Sequence, residues 1–244
     1  MTLPDLAPRS LTENAYAVLR ADILACRLVP GARLKIAELC QRLDVSLGAV
    51  REALSRLSAE GLVESEAQKG FRVAPVSADD LDDLTRTRIE IETSCLRRAL
   101  AHGGVEWETR IVGAMHRLSR TPERVAGDER RVSDAWATAH ADFHFALVEA
   151  CDSPWLLRLE TLLSTQAERY RRLSVPASPR TRDLEAEHRT IMDAVLARDV
   201  ELACRLIADH FTTTAAIVRP LALAASTPEA DPPDGPRRRR RSAA

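Results

Sequence analysis

The chain has 244 residues, long enough for two domains or one large one. Its 35 Lys and Arg nearly cancel 36 Asp and Glu, which excludes a generic polycationic nucleic-acid coat protein and an acidic disordered tail protein. With 45% hydrophobic, 29% charged and only 4% aromatic residues, the composition is soluble and globular, and it leans helical rather than all-β.

Residues 1–10 read as a loose arm. From 11 to 26 the apolar residues Leu11, Ala15, Val18, Leu19 and Ile23 fall at helical spacing. Pro30-Gly31 predicts a turn, because proline fixes one backbone angle and glycine permits another. A short helix is predicted over 36–43. Asp44-Val45-Ser46 breaks the pattern, and Ser46 can cap a helix running from 47 to about 60. Gly61 suits the end of that helix. Residues 62–65 and 71–74 alternate like short strands, with a hairpin turn at 67–70 between them. These are the parts of a winged helix-turn-helix over residues 11–76.

Ser77 and the acids Asp79, Asp80, Asp82 and Asp83 then open a capped helix. From there to about 221 the pattern is helical, interrupted near 103–104, 122–127, 153–154, 176–179 and 199, with no strand alternation. An antiparallel all-helical bundle of about six helices is the simplest packing, so the fold class expected is mainly α. Residues 222–244 are rich in proline and contain five consecutive arginines, 237–241; they read as a disordered tail. The near-zero net charge hides a layout: residues 1–76 carry 10 basic and 9 acidic side chains, whereas 77–219 carry 20 and 24.

The five cysteines are scattered and form no C-x-x-C, so reduced thiols in a cytoplasmic protein are expected. No apolar run approaches the roughly 20 residues of a membrane span, and no signal-peptide pattern opens the chain.

All six histidines lie beyond residue 77. His140 and His144, four apart, share a helix face. His188 and His210 fall on two later helical segments. Three helices can thus aim imidazoles at one interior point, a natural metal site; histidines that are exposed or satisfied in the core are the alternative. His102 and His116 read as surface groups.

The residues Leu28-Val29-Pro30-Gly31-Ala32-Arg33-Leu34, Val50-Arg51-Glu52-Ala53-Leu54, Glu60-Gly61-Leu62-Val63 and Gly70-Phe71-Arg72-Val73 resemble the GntR family of bacterial transcription regulators. The resemblance implies that residues 46–51 enter the major groove of a double-stranded operator. Small residues Ser46, Gly48 and Ala49 permit close approach, and Ser46 serves as cap, phosphate ligand or both. Arg51 fits a guanine edge or a phosphate, against an ion pair with Glu52. Arg56 is a phosphate contact or a solvated charge. Lys69 and Gly70 suit a wing-tip contact with backbone or minor groove. Where the family often has Arg-Thr-Pro after the serine, this chain has Leu47-Gly48-Ala49. The usual base-reading arginine is therefore replaced by Leu47, which contacts a thymine methyl or packs.

Arg88-x-x-Ile91-Glu92, Phe143-His144 and Glu187-His188-x-x-Ile191-Met192 resemble the FCD effector domain of the FadR subfamily. That resemblance implies a divalent metal on three histidines and an Asp or Asn four residues before the Phe-His histidine. Here that position is His140, which gives the ligand set His140, His144, His188 and His210, with zinc or nickel favoured. Asp142 is about 200° from His144 on a helix and is a poor substitute. Arg88 aligns with the family's pocket arginine and would orient a small carboxylate metabolite, against an i,i+4 ion pair with Glu92.

A homodimer acting as a metabolite-responsive repressor is the expectation, with a constitutive metal-free dimer as the alternative. An enzyme is not expected. Glu185-x-x-His188 has no second copy for a di-iron site, and His140 to His144 lacks the glutamate a zincin needs.

Overall fold

The computed structural model describes residues 10–174 and 182–225. Helix α1 (Leu11–Leu24), strand β1 (Arg33–Leu34), α2 (Ile36–Leu43), α3 (Leu47–Ala59), β2 (Val63–Glu66) and β3 (Gly70–Val73) form the winged helix-turn-helix. Its antiparallel sheet has the order β1-β3-β2, with Arg33 opposite Arg72 and Val63 opposite Val73. Strand β1 pairs through only two residues, too short for any alternation to be read from the chain. Ser46 accepts a hydrogen bond from the Ala49 amide (3.3 Å) and so starts α3 as a cap. The wing turns through Gln68 at φ 64° and Gly70 at φ 89°; the second is a conformation that glycine adopts without a Cβ clash.

Leu19 and Ile23 of α1 pack on Val50, Leu54 and Leu57 of α3 and on Leu62 and Val73 of the wing, all essentially inaccessible to solvent. Each such side chain contributes about 1.5–3 kcal/mol of burial. That core fixes the opposite, exposed face of α3.

The second domain contains α4 (Ala78–His102), α5 (Val105–Arg120), α6 (Asp134–Val148), α7 (Pro154–Ser174), α8 (Leu184–Leu196) and α9 (Val200–Ala225). Its core joins Leu96, Trp107, Ile111, Phe143, Leu147, Ile191 and Ile207. Two expectations need correction. A hairpin of β4 (Arg124–Val125) and β5 (Asp128–Val132) stands between α5 and α6, where only a helix break is predicted. Gly127, at φ 82°, makes its turn, and the charged run from Asp128 to Arg131 masks any apolar alternation. Helix α9 also runs through Pro220 to Ala225, so residues 222–225, assigned above to the tail, are its last turn. Val218 and Ala222, on either side of the proline, are both buried against Leu81 and Tyr170. The tail arginines 237–241 and arm residues 1–9 lie outside the described residues; Ser10 caps α1 through the Glu13 amide (3.1 Å).

Helix α7 joins the domains. Gln166 Nε2 donates to the Glu60 carbonyl (2.6 Å), and the Arg169 guanidinium donates to the carbonyl of Ala74. Arg27 of the first domain reaches Asp134 at the start of α6 (3.2 Å).

Candidate functional site

At the DNA-reading end, Leu47 is 57% exposed at the first turn of α3, Gly48 is exposed beside it, and Ser46 is exposed just before it. Arg51 is exposed one turn on, with no ion pair to Glu52 among the described residues. Ala49 is 8% exposed, so it would serve a close approach through its small size rather than through an exposed side chain. Arg56 is engaged with α1 rather than standing free. Its guanidinium lies 3.9 Å over the Tyr16 ring and pairs with Glu13 (3.1 Å). At the wing, Gly70 is exposed and Lys69 reaches out of the turn with only a loose partner, Glu66 at 3.9 Å.

Inside the helical domain the four predicted histidines come together. His140 and His144 extend from α6, His188 from α8 and His210 from α9. All are buried, and one ring nitrogen from each falls within 4.8 Å of the others. Nε2 of His140 and Nε2 of His144 are 3.2 Å apart. That separation fits a coordination tetrahedron, whose edge is about 3.3 Å when metal–nitrogen bonds are about 2.0–2.1 Å. Burial holds all four imidazoles below their ordinary pKa, and neighbouring imidazoles and arginines add to the effect. They are therefore neutral, the form that donates a lone pair to a metal. His188 Nε2 and His144 Nδ1 are buried without a hydrogen-bond partner. Asp142 is half exposed and reaches Arg117 at 3.4 Å, outside the cluster.

A supporting pair escapes the sequence reading. Glu187 Oε2 accepts from His210 Nδ1 (2.9 Å), which leaves Nε2 of that ring free for a metal. Glu187 is gripped in turn by Arg182 through two bonds of 2.8 and 2.7 Å. Burial alone would raise the Glu187 pKa; the Arg182 and His210 bonds outweigh it and bring it to about 2.

Arg88 projects from α4 beside the cluster. It stacks 3.8 Å from the Phe211 ring centre, its Nη2 lies 3.5 Å from Ser164 Oγ, and its Nε has no partner. The ion pair with Glu92 anticipated as an alternative does not form: both Glu92 carboxylate oxygens are buried without a hydrogen bond. Burial pushes the Glu92 carboxyl up to about 8, with the Arg88 charge opposing. Glu160 of α7 is a second buried acid nearby, raised by burial. Arg88, His140, His144 and His210 line one cavity of about 410 Å³. His102 and His116 are exposed, as expected.

A winged helix with an exposed recognition face, joined to a helical domain with a cavity lined by histidines and an arginine, is the architecture of a DNA-binding transcription regulator with an effector domain. The model for bacterial regulatory proteins of the gntR family matches residues 11–73, and the FCD domain model matches 83–213. The chain belongs to the GntR family and carries an FCD domain. It is similar to the HTH-type transcriptional regulator BphR of Paraburkholderia xenovorans, 44% identical over 215 residues that cover 88% of each chain. It is 35% identical to the HTH-type transcriptional repressor GlaR of Escherichia coli over 84% of this chain and 94% of that one. A GntR regulator structure from Rhodococcus sp. RHA1 superposes with a TM-score of 0.69 at 26% identity, covering 86% of this chain and 98% of that one. E. coli McbR/YncC shares the fold, with a TM-score of 0.72 at 22% identity over 87% and 99%. These relatives are transcription regulators, and the chain is not an enzyme. No helix among the described residues is long and apolar enough to cross a membrane.

Proposed function

We propose that this protein is a homodimeric repressor of the bacterial cytoplasm. In this reading Ser46, Leu47, Gly48 and Arg51 enter the major groove of a palindromic operator, while Lys69 and Gly70 touch its backbone or minor groove. Two recognition helices would sit in successive major grooves, about 34–36 Å apart. A divalent metal, zinc or nickel, is held by His140, His144, His188 and His210. A small carboxylate binds between that metal and Arg88 and weakens operator binding. The metal would supply a positive centre for the carboxylate; Arg88 would fix its orientation through paired N–H donors.

The observation that carries this reading is the meeting of four buried imidazoles, three of them (His140, His144 and His210) on one cavity with Arg88, whose Nε is unpaired. Buried polar atoms without partners are rare, and several in one place point to a missing ligand. The repressor sign rests on the names of relatives such as GlaR.

Fluorescence anisotropy on DNA from upstream of the protein's own gene tests the first half. Saturable, salt-sensitive binding is expected, with two chains per site. Metal analysis of the purified protein tests the second, with about one zinc or nickel per chain expected. Metal-free protein that binds DNA with unchanged affinity, whatever carboxylate is added, would leave a constitutive dimer instead.

A further inference from the structure

The cavity lined by Arg88, His140, His144 and His210 is not confined to the helical domain. Its wall includes Arg20 and Leu24 of α1, which belong to the DNA-reading domain. A second cleft of about 800 Å³, between α1 and α7, shares Arg20, Leu24, Thr138, Thr161, Thr165 and Arg172 with the first. The two spaces therefore meet at the domain boundary. His140, His144, His210 and Arg88 line only the first.

Arg20 and Arg88 approach one cavity over neighbouring residues of α7: Arg20 Nη2 lies 3.4 Å from Thr165 Oγ1 and Arg88 Nη2 lies 3.5 Å from Ser164 Oγ. Leu81 and Leu84 of α4, Ala137 and Ala141 of α6, and Val218 of α9 give the wall much apolar surface, which Glu160, Glu168 and Arg171 of α7 interrupt. A volume of 410 Å³ lies in the range of about 300–1,000 Å³ that accommodates ligands larger than a two- or three-carbon acid.

The shared wall carries two cations, and they differ. Arg172 is 11% exposed and is tied to both Glu168 and Asp134. Arg20 is 33% exposed, bonds Glu60 through Nε (2.9 Å) and touches Thr165 at only 3.4 Å. Glu60 is the residue that ends α3, the recognition helix, and Tyr16 and Gln166 hold it as well.

We propose that the DNA-reading domain supplies part of the effector site. The effector is a two-ended acid with an apolar middle, and Arg20 receives its far anionic end. This rests on the carboxylate reading above, which places the near end at the histidines and Arg88. An anion at Arg20 competes with Glu60 for the same guanidinium. Ligand binding then acts directly on the residue at the end of the recognition helix, without a shift relayed through the bundle.

The test uses the full-length, zinc-loaded protein. It is titrated calorimetrically with straight-chain saturated dicarboxylates of increasing length and with the monocarboxylate of each length. Affinity should rise with length, and the best diacid should exceed its monoacid by about tenfold, the worth of one charge-assisted hydrogen bond. Arg20→Gln should abolish that advantage while leaving monoacid affinity within about twofold, as expected for separate sites. Arg20→Lys should restore part of it. Leu24→Phe should weaken the longest diacids before the shortest. Equal diacid affinities in the parent and Arg20→Gln would overturn the proposal and leave the carboxylate reading standing. No binding by either series would overturn both.

Discussion

Asp22 and Glu92 are both buried acids, one in each domain, and they are treated differently. Asp22 accepts from Arg27 Nε at 2.7 Å and from Arg42 Nη1 at 2.9 Å, so its charge ties α1 to α2. Glu92 accepts nothing. The arginines divide along the same line. Arg56 bridges α3 to α1 through Glu13 and Tyr16, whereas Arg88 is enclosed with its Nε unpaired. In the reading domain, the buried Asp22 and the half-exposed Arg56 hold helices in fixed relation. In the helical domain Arg88 lies on a cavity with its Nε unpaired, and Glu92 is buried with no hydrogen bond to either carboxylate oxygen. A buried polar atom without a partner costs stability, so several of them beside a cavity mark a site that a ligand completes.

That contrast can be broken most forcefully at the histidines. His144→Ala should remove a ligand at the centre of the cluster and lower metal affinity by more than the roughly 10–100-fold typical of losing a supporting residue. Competition with a chelator would measure it. DNA affinity of the metal-free parent and of the variant should match. Metal content equal to the parent's would show that the cluster is only a packed core. Glu187→Gln is the milder version, because it keeps the shape while removing the charge that holds His210 Nδ1–H. We expect a loss of about tenfold or more in metal affinity. An unchanged affinity would mean that the Arg182–Glu187 pair serves packing alone.

Arg51→Ala tests the other domain. If Arg51 contacts a base edge, the loss should be about 1–3 kcal/mol and confined to one operator position. If it contacts a phosphate, binding should weaken evenly across sequences, and the salt dependence should shrink by about one ion. Metal affinity should not move in either case. A variant with parental DNA binding would remove Arg51 from the interface.

The sequence made the reading domain more legible than the sensor, for a physical reason. Helices α1, α2 and α3 announce themselves by local periodicity and by the Ser46 cap, and each needs only neighbours in the chain. The histidines were half legible: the spacing of His140 and His144 is local, but their meeting with His188 and His210 depends on how three helices pack. The hairpin at Asp128 was hidden because its strands are charged rather than alternating. The role of Glu187 was invisible because its partner His210 is 23 residues away. Arg20 was less legible still, since its contact with Thr165 spans 145 residues and exists only when the two domains dock.

The test that bears most directly on the unpartnered buried acid is the pH dependence of Glu92. Its carboxyl titrates near about 8 in the folded chain, against an ordinary value of 4.5. Between those values the folded protein keeps a proton that the unfolded chain has released. Stability is therefore fully present below about pH 4.5 as far as this group is concerned. It falls as pH rises, by at most about 1.4 kcal/mol per unit, and levels off above about 8. Glu92→Gln mimics the protonated acid at every pH. Denaturant melts of the metal-free parent and variant should nearly coincide at pH 5, and the variant should gain steadily on the parent toward pH 8. Asp22→Asn is the paired control, because Asp22 already has its two guanidiniums. Removing that charge should destabilise the protein at neutral pH rather than stabilise it. If both substitutions shift stability in the same direction at pH 8, the two buried acids are not differently compensated, and the contrast between the domains loses its basis.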